Sequence, residues 1–417
     1  MSGTDGDQGD AASSPGRREV DCVPTMTANA VMSPIPNQGR PVPGEGPVAT
    51  MVRLVRDSFA VVESQSDKVA EFFYATLFAI APATREMFPV NMEVQRSRLL
   101  RALVHVVQMV DRPDDLLPFL RQLGRDHRKF GVVANHYEAV GMALLAAVKQ
   151  YAKDAWTDEV ERAWAEAYTI MARAMLDAAS TEDGPAWWNG TVVERRRIAK
   201  DLAIVRVQPD HLVPYEPGQY MSVEVPQRPR MWRYFTPATA PRDDGLLEFH
   251  VRGVETGWVS RAIVTHGELG DVWRIGPAMG RLHIDRDAAR DVLMVAGGTG
   301  VAPMRAMIDH LAQWGENPRV QLFFGGRVRA DLYDLENLLA LAASNPWLKV
   351  VPVLETESKM ATVERGTLAD VVTRYGAWAD HDVLVSGSPG MVRSTVSRML
   401  VAGTALDRIT YDPFTVD

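Results

Sequence analysis

Cysteine is nearly absent: Cys22 is the one thiol in 417 residues. That excludes an intramolecular disulfide framework, a zinc site built on cysteines and a cysteine-ligated iron–sulfur cluster. It also fits a reducing compartment. An excess of positive charge is missing too. Lys and Arg number 45 against 53 Asp and Glu, a net charge of −8, whereas a nucleic-acid or anionic-membrane binder needs clustered cations. No apolar run approaches the ~18 residues of a membrane-spanning helix. The opening MSGTDGDQGD is acidic where a signal peptide is basic, and no apolar core follows it. The expectation is a cytoplasmic monomer that works on small molecules, without nucleic acid and without stable membrane association.

What is present falls into blocks. At ~150 residues per domain the chain has room for several cores. Residues 1–48 are rich in Gly, Pro, Ser and Asp and show no apolar period. Such a segment buries too little to offset its ordering entropy, so a disordered tail is expected, with Met26 and Met51 as alternative starts. Across residues 49–180 apolar side chains recur at three and four, as in Leu54, Phe59, Val62 and Val69, Phe72, Phe73, Leu77. That is the period of amphipathic helices and predicts an all-α domain. Breaks are expected at Ala81-Pro82, at Gly131, and at 111–114, where Asp111 and Pro113 read as a helix start.

After a linker at 181–185 the period changes. In residues 187–288, short β-branched runs at 191–207, 219–225, 247–251 and 272–275 are parted by Gly and Pro turns. They predict a small antiparallel barrel or sandwich. In residues 290–417, strands at 292–296, 320–324, 349–353 and 383–385 alternate with helices, the first at 304–311. That alternation predicts a parallel, doubly wound α/β sheet.

Gly297-Gly298-Thr299-Gly300-Val301-Ala302-Pro303 lies between a buried strand and a helix. Glycines there let the backbone approach a pyrophosphate, which free N–H groups at the helix start stabilise. Alone, the run also fits an ordinary strand–helix turn. It is not alone: Ser386-Gly387-Ser388-Pro389-Gly390-Met391 repeats the pattern. Upstream stand Pro217-Gly218-Gln219-Tyr220, Arg233-Tyr234-Phe235-Thr236-Pro237 and Gly257-Trp258-Val259-Ser260. In this order, over 188–417, they resemble the ferredoxin–NADP-reductase-like family, a flavin barrel followed by a nicotinamide domain. The resemblance implies that Arg233 binds an FAD phosphate, that Phe235 and Thr236 contact the isoalloxazine and that Tyr220 lies beside it. It places the pyrophosphate on Gly257, Val259 and Ser260. The nicotinamide dinucleotide falls on Gly297, Gly298, Thr299 and Gly300, with Pro303 opening the helix and Ser386 and Gly387 nearby. Phe414 would cover the flavin. Two positions depart from the family: Phe235 stands where Tyr is usual, and Ser386 where Cys is usual. Arg327 and Arg329 are candidates for a 2′-phosphate, although NADH-using members carry arginines there too, and NADH is the leaning.

The helical domain holds His105, His127 and His136. Without cysteine, an axial imidazole is the obvious way to hold haem iron. His127 shares an apolar helical face with Leu120, Leu123 and Phe130, where a lone His is more commonly a hydrogen-bonded core residue. The stretch Asp126 to Phe130, then His136-Tyr137-Glu138-Ala139-Val140-Gly141, with Phe72-Phe73-Tyr74, Phe88 and Gln95 upstream, resembles flavohaemoglobins over about residues 50–180. With the reductase order behind it, the chain is identified as a member of that family, of a divergent subgroup.

The resemblance implies haem b, FAD and NAD(P)H as cofactors, and His127 as the proximal ligand. Tyr74 and Gln95 become distal polar groups, Leu99 shapes the gas cavity, Phe88 packs on the haem and Tyr137 approaches from the proximal side. His105 and His136 match no ligand position. The family's proximal Glu falls at Ala179. Its Lys before the proximal His is Asp126, whose expected acidic partner is Asp412, so a like-charge pair is expected there. The implied activity is NAD(P)H-dependent nitric oxide dioxygenation, with O₂ and NO as substrates. A haem/flavin reductase or oxidase with weak NO turnover, or a gas or redox sensor, are the alternatives.

Overall fold

The structure is a computed structural model that describes residues 46–285, 288, 290–356 and 362–412. Residues 1–45 of the expected tail, and Phe414, fall outside the described residues, whereas Pro47 and Val48, expected in that tail, open the first helix, where Pro47 suits a helix start. Among these residues no single helix is long and apolar enough to cross a membrane.

Helices come first: α1 (Pro47–Glu63), α2 (Ser66–Ile80), α3 (Glu93–Met109), α4 (Pro113–His127), α5 (Ala134–Ala152) and α6 (Asp158–Ser180). The break at Pro82 becomes a 3₁₀ turn, Pro82–Met87, and Gly131 closes a second turn with φ +72°. The faces of α1, α2, α5 and α6 meet in one core holding Phe59, Phe73, Leu77 and Trp164. Trp164, 1% exposed, satisfies its indole by donating to Ser58 Oγ at 2.9 Å, as a buried N–H must.

α4 starts with Pro113 at its head and Asp114 and Asp115 in its first turn, which suits the positive end of the helix dipole. Asp111 does not cap it. Its carboxylate accepts from Arg56 at 2.5 Å instead, while the same guanidinium also takes the carbonyls of Val107 and Gln108 at the end of α3. A long-range cation thus outcompetes the local cap. Gly124 fixes how close α4 comes to α6: a Cβ there would lie 2.2 Å from the Met175 carbonyl oxygen.

The second unit is an antiparallel six-stranded sheet of β1 (Trp188–Ala199), β2 (Leu202–Pro209), β3 (Tyr220–Glu224), β4 (Arg233–Phe235), β5 (Leu247–Arg252) and β6 (Val272–Met279). Its order is β4-β3-β6-β1-β2-β5, and a bridge between Pro237 and Phe249 joins the two ends into a barrel. The single run expected at 191–207 is a hairpin, because Ala199 pairs with Leu202 around a tight turn. The sequence reading lacked β4 and the helix α7 (Trp258–His266).

The third unit is the expected parallel sheet, with β7 (Val292–Gly297), β8 (Val320–Gly326), β9 (Leu348–Leu354), β10 (Glu364–Arg365), β11 (Asp382–Ser386) and β12 (Ile409–Tyr411). The order β10-β9-β8-β7-β11-β12 is doubly wound. One face buries Met304 and Ile308 of α8 (Val301–Leu311) with Leu338 of α9 (Leu335–Ser344). The other buries Val371 of α10 (Leu368–Tyr375) and Met399 of α11 (Pro389–Val401). The helix after β7 starts at Val301 rather than 304, so Pro303 is its third residue and is buried.

Candidate functional site

His127 is the last residue of α4, half-buried, 6.0 Å from the Phe130 ring. Its Nδ1 lies 2.7 Å from the Leu123 carbonyl oxygen. A carbonyl only accepts, so Nδ1 carries the proton and the Nε2 lone pair is left available, the tautomer a metal-bound imidazole needs. Burial lowers the imidazole pKa, which keeps the ring neutral, with Asp126 acting in the opposite direction. That donor fits an iron ligand.

Tyr74 on α2 and Gln95 on α3 come together: the phenol donates to the Gln95 backbone carbonyl at 3.4 Å. Burial pushes the Tyr74 pKa up to about 12, so its hydroxyl stays a donor. Phe88 packs edge-on against Tyr74 at 5.4 Å and against Phe78 at 5.5 Å. Leu99 is half-buried along the same core. Tyr137 on α5 is buried, its phenol pKa raised by desolvation, and its backbone carbonyl accepts from the Tyr168 hydroxyl at 2.5 Å. His105 stacks edge-on with Phe119, and His136 caps α5 by accepting from the Val133 N–H.

In the barrel, the Tyr220 and Tyr234 rings meet at 5.0 Å. Arg233 donates to the Trp232 carbonyl at 2.8 Å, and Phe235 leans on Phe249 at 6.5 Å. Thr236 follows β4, half-buried. Gly257 precedes α7, where a Cβ would lie 2.4 Å from Ser260 Oγ. That oxygen is buried and without a hydrogen-bond partner, a polar group awaiting a ligand at a helix start. Val259 is fully buried in the barrel core, so only its backbone faces that site.

In the α/β unit the two glycine loops converge, since Ser386 pairs with Ala296 across β11 and β7. A Cβ on Gly300 would lie 2.4 Å from the Ser386 carbonyl oxygen and 2.6 Å from the Gly387 nitrogen. Gly298 takes φ +55°, in a 3₁₀ turn with Thr299. The cradle would be filled by any larger residue, which fits a dinucleotide backbone. Arg327 and Arg329 are exposed beyond β8, on a loop whose Arg327 and Val328 N–H groups donate to Asp331.

Three family matches cover these units in turn. Residues 71–175 match the globin family, 189–284 the oxidoreductase FAD-binding domain and 294–397 the oxidoreductase NAD-binding domain. A flavohemoprotein of Bordetella parapertussis is 29% identical over 70% of this chain and 78% of its own length. One of Chromobacterium violaceum is 26% identical over 87% and 96%. A flavohemoglobin structure from Malassezia yamatoensis, with bound FAD and heme, superposes with a TM-score of 0.73 at 19% identity, over 87% of this chain and 98% of that one. The chain joins a globin to oxidoreductase FAD-binding and NAD-binding domains and is similar to flavohemoproteins over most of its length. It is an oxidoreductase whose cofactors are haem, FAD and a nicotinamide dinucleotide.

The two acids expected as a like-charge pair, Asp126 and Asp412, each have a partner of their own, and both charges raise the Tyr220 pKa. Asp126 Oδ1 lies 2.6 Å from Lys129 Nζ, and Asp412 accepts from the Arg281 N–H at 3.2 Å. Burial raises the Asp412 pKa to about 6. Ala179 is half-buried on α6. Sequence reasoning missed Lys129 and Trp232, which meet at the join of globin and barrel. An open cleft of about 350 Å³ beside them is lined by Met87, Phe130, Trp187, Glu224 and Arg274, among others.

Proposed function

We propose that the chain is an NAD(P)H-dependent nitric oxide dioxygenase, in which electrons pass from the nicotinamide by way of FAD to haem and NO is oxidised to nitrate. The observation that carries this reading is one globin fold holding an imidazole with a free Nε2 and a buried phenol that stays protonated. Bound haem supplies the iron at which O₂ and NO react, and bound FAD divides a hydride's electron pair into single electrons.

The protein's own groups do the rest. His127 holds the iron through Nε2, with Leu123 fixing the ring. Tyr74 keeps its proton and would turn its one O–H from the Gln95 carbonyl, a long 3.4 Å contact, to the reacting gas, where a donor stabilises developing negative charge. Phe78 and Phe88 exclude water around it, Leu99 shapes the gas cavity, and Tyr137 closes the proximal side. Arg233 holds an FAD phosphate, with Tyr220, Phe235 and Thr236 beside the flavin ring. The Ser260 hydroxyl and the backbone from Gly257 to Val259 take the pyrophosphate. Gly297, Gly298, Thr299, Gly300 and Pro303 at the head of α8, with Ser386 and Gly387, take the nicotinamide dinucleotide.

The experiment is anaerobic addition of NADH to purified protein, followed by NO and O₂. Haem reduction, then NO consumption matched by nitrate, supports the reading. Reduced flavin with unchanged ferric haem bands overturns it. A second reading, a haem/flavin reductase or oxidase with weak NO turnover, is favoured by Ala179, which offers no carboxylate to strengthen the proximal imidazole. On that reading Ala179→Glu raises NO turnover.

A further inference from the structure

Lysine is among the costliest side chains to bury, and Lys129 is buried: its side chain is 4% exposed. Its partners come from both sides of the join between globin and barrel. From the globin, Asp126 Oδ1 lies 2.6 Å from Nζ, and the Phe130 ring centre lies 5.2 Å away. From the barrel come the Trp232 ring at 5.6 Å and the Tyr234 ring at 5.1 Å. The Tyr234 hydroxyl donates to the other Asp126 oxygen at 3.4 Å, and Phe130 meets Trp232 edge-on at 6.5 Å. An ammonium in an aromatic box is held by the negative faces of the rings, most strongly where water is excluded.

Position gives this box its meaning. Asp126 and Lys129 bracket His127, and Trp232 and Tyr234 bracket Arg233 at the strand that carries Phe235 into Thr236. Through the rings of Trp232 and Tyr234 and the Tyr234 hydroxyl, this desolvated ion pair therefore ties the turn bearing the iron ligand to the strand bearing the flavin contacts. We propose that Lys129 is the positioning residue that registers the globin against the flavin barrel and so sets the separation across which the flavin passes electrons to haem. The proposal rests on the electron path given above. The family's cation before the proximal His is here an aspartate, and the positive charge sits three residues further on.

The test uses holoprotein with haem and FAD contents matched, comparing wild type with Lys129→Met, Lys129→Arg and Trp232→Leu. Small-angle scattering reads domain separation, and anaerobic stopped flow under CO reads the flavin-to-haem step separately from flavin reduction by NADH. In Lys129→Met the maximum dimension grows and the flavin-to-haem rate falls at least ~10-fold, while flavin reduction by NADH is unchanged; Lys129→Arg recovers most of the rate. An unchanged scattering profile together with an unchanged haem rate overturns the proposal. Should Lys129→Met fail to fold, Trp232→Leu, which leaves the globin intact, carries the same expectations and the same refutation. If wild-type haem is never reduced by NADH, the electron path fails, and scattering alone decides whether Lys129 registers the domains.

Discussion

The Nδ1 atom of His127 lies 2.7 Å from the carbonyl oxygen of Leu123, one helical turn back. This bond aims Nε2 away from the helix and fixes both tautomer and ring plane. His127→Ala therefore yields protein whose haem content falls at least ~10-fold, with FAD content unchanged. Paired haem and flavin absorbance of the purified variant checks this. His105→Ala and His136→Ala keep the Soret band, because the first ring packs on Phe119 and the second caps α5.

Tyr74→Phe removes one hydroxyl from a ring held by Phe78 and Phe88, so haem loading and fold persist. What is lost is the donor. NO consumption at saturating NADH falls ~100-fold, as for removal of one preorganised donor at a developing anion, and O₂ release quickens. An NO electrode and flash photolysis measure the two. Turnover equal to wild type would show that the phenol does not face the gas.

Gly300→Ala pushes a Cβ to 2.4 Å from the Ser386 carbonyl oxygen, against backbone that cannot swing aside. The two glycine loops must part, so nicotinamide binding weakens while haem and FAD stay bound. Flavin reduction by NADH slows at least ~10-fold, whereas dithionite still reduces both cofactors. Stopped-flow absorbance at the flavin band is the measurement.

The order of helical, barrel and α/β units was legible from periodicity, because each core uses a long repeat of apolar residues at one spacing. Short or long-range features were not. β4 is three residues with polar Arg233 and Tyr234 in it, too brief for an alternation to register. Asp111 reads as a cap until Arg56, 55 residues earlier, takes its carboxylate. Asp126 reads as an acid without a cation because Lys129 becomes its partner only when the chain turns at 128–130. The site residues Tyr74, Gln95 and His127 were legible as a pattern, but the hydrogen bonds that orient them exist only once helices pack. Ser260 was named for its place after Gly257, and its unpartnered buried hydroxyl appears only in the fold.

Asp309 tests how the α/β unit tolerates buried charge. Burial, with repulsion from Asp334 and Glu248, raises its pKa from 3.8 to about 6, and Arg305 offsets this only in part. Arg305 is already held by both Asp334 oxygens at 2.7 and 2.9 Å, whereas its contact with Asp309 is 3.7 Å. A carboxyl whose folded pKa is raised binds its proton more tightly folded than unfolded. Stability from it is therefore full below pH 3.8 and is lost as pH rises through about 6. Asp309→Asn keeps the shape and removes the charge, so it raises Tm at pH 8 by an amount equivalent to about 1–2 kcal/mol, the side chain being a quarter exposed. At pH 4 the two proteins melt together. Thermal melts of wild type and variant at both values check the sign, and a lower Tm for the variant at pH 8 would mean that the Arg305 contact outweighs the burial.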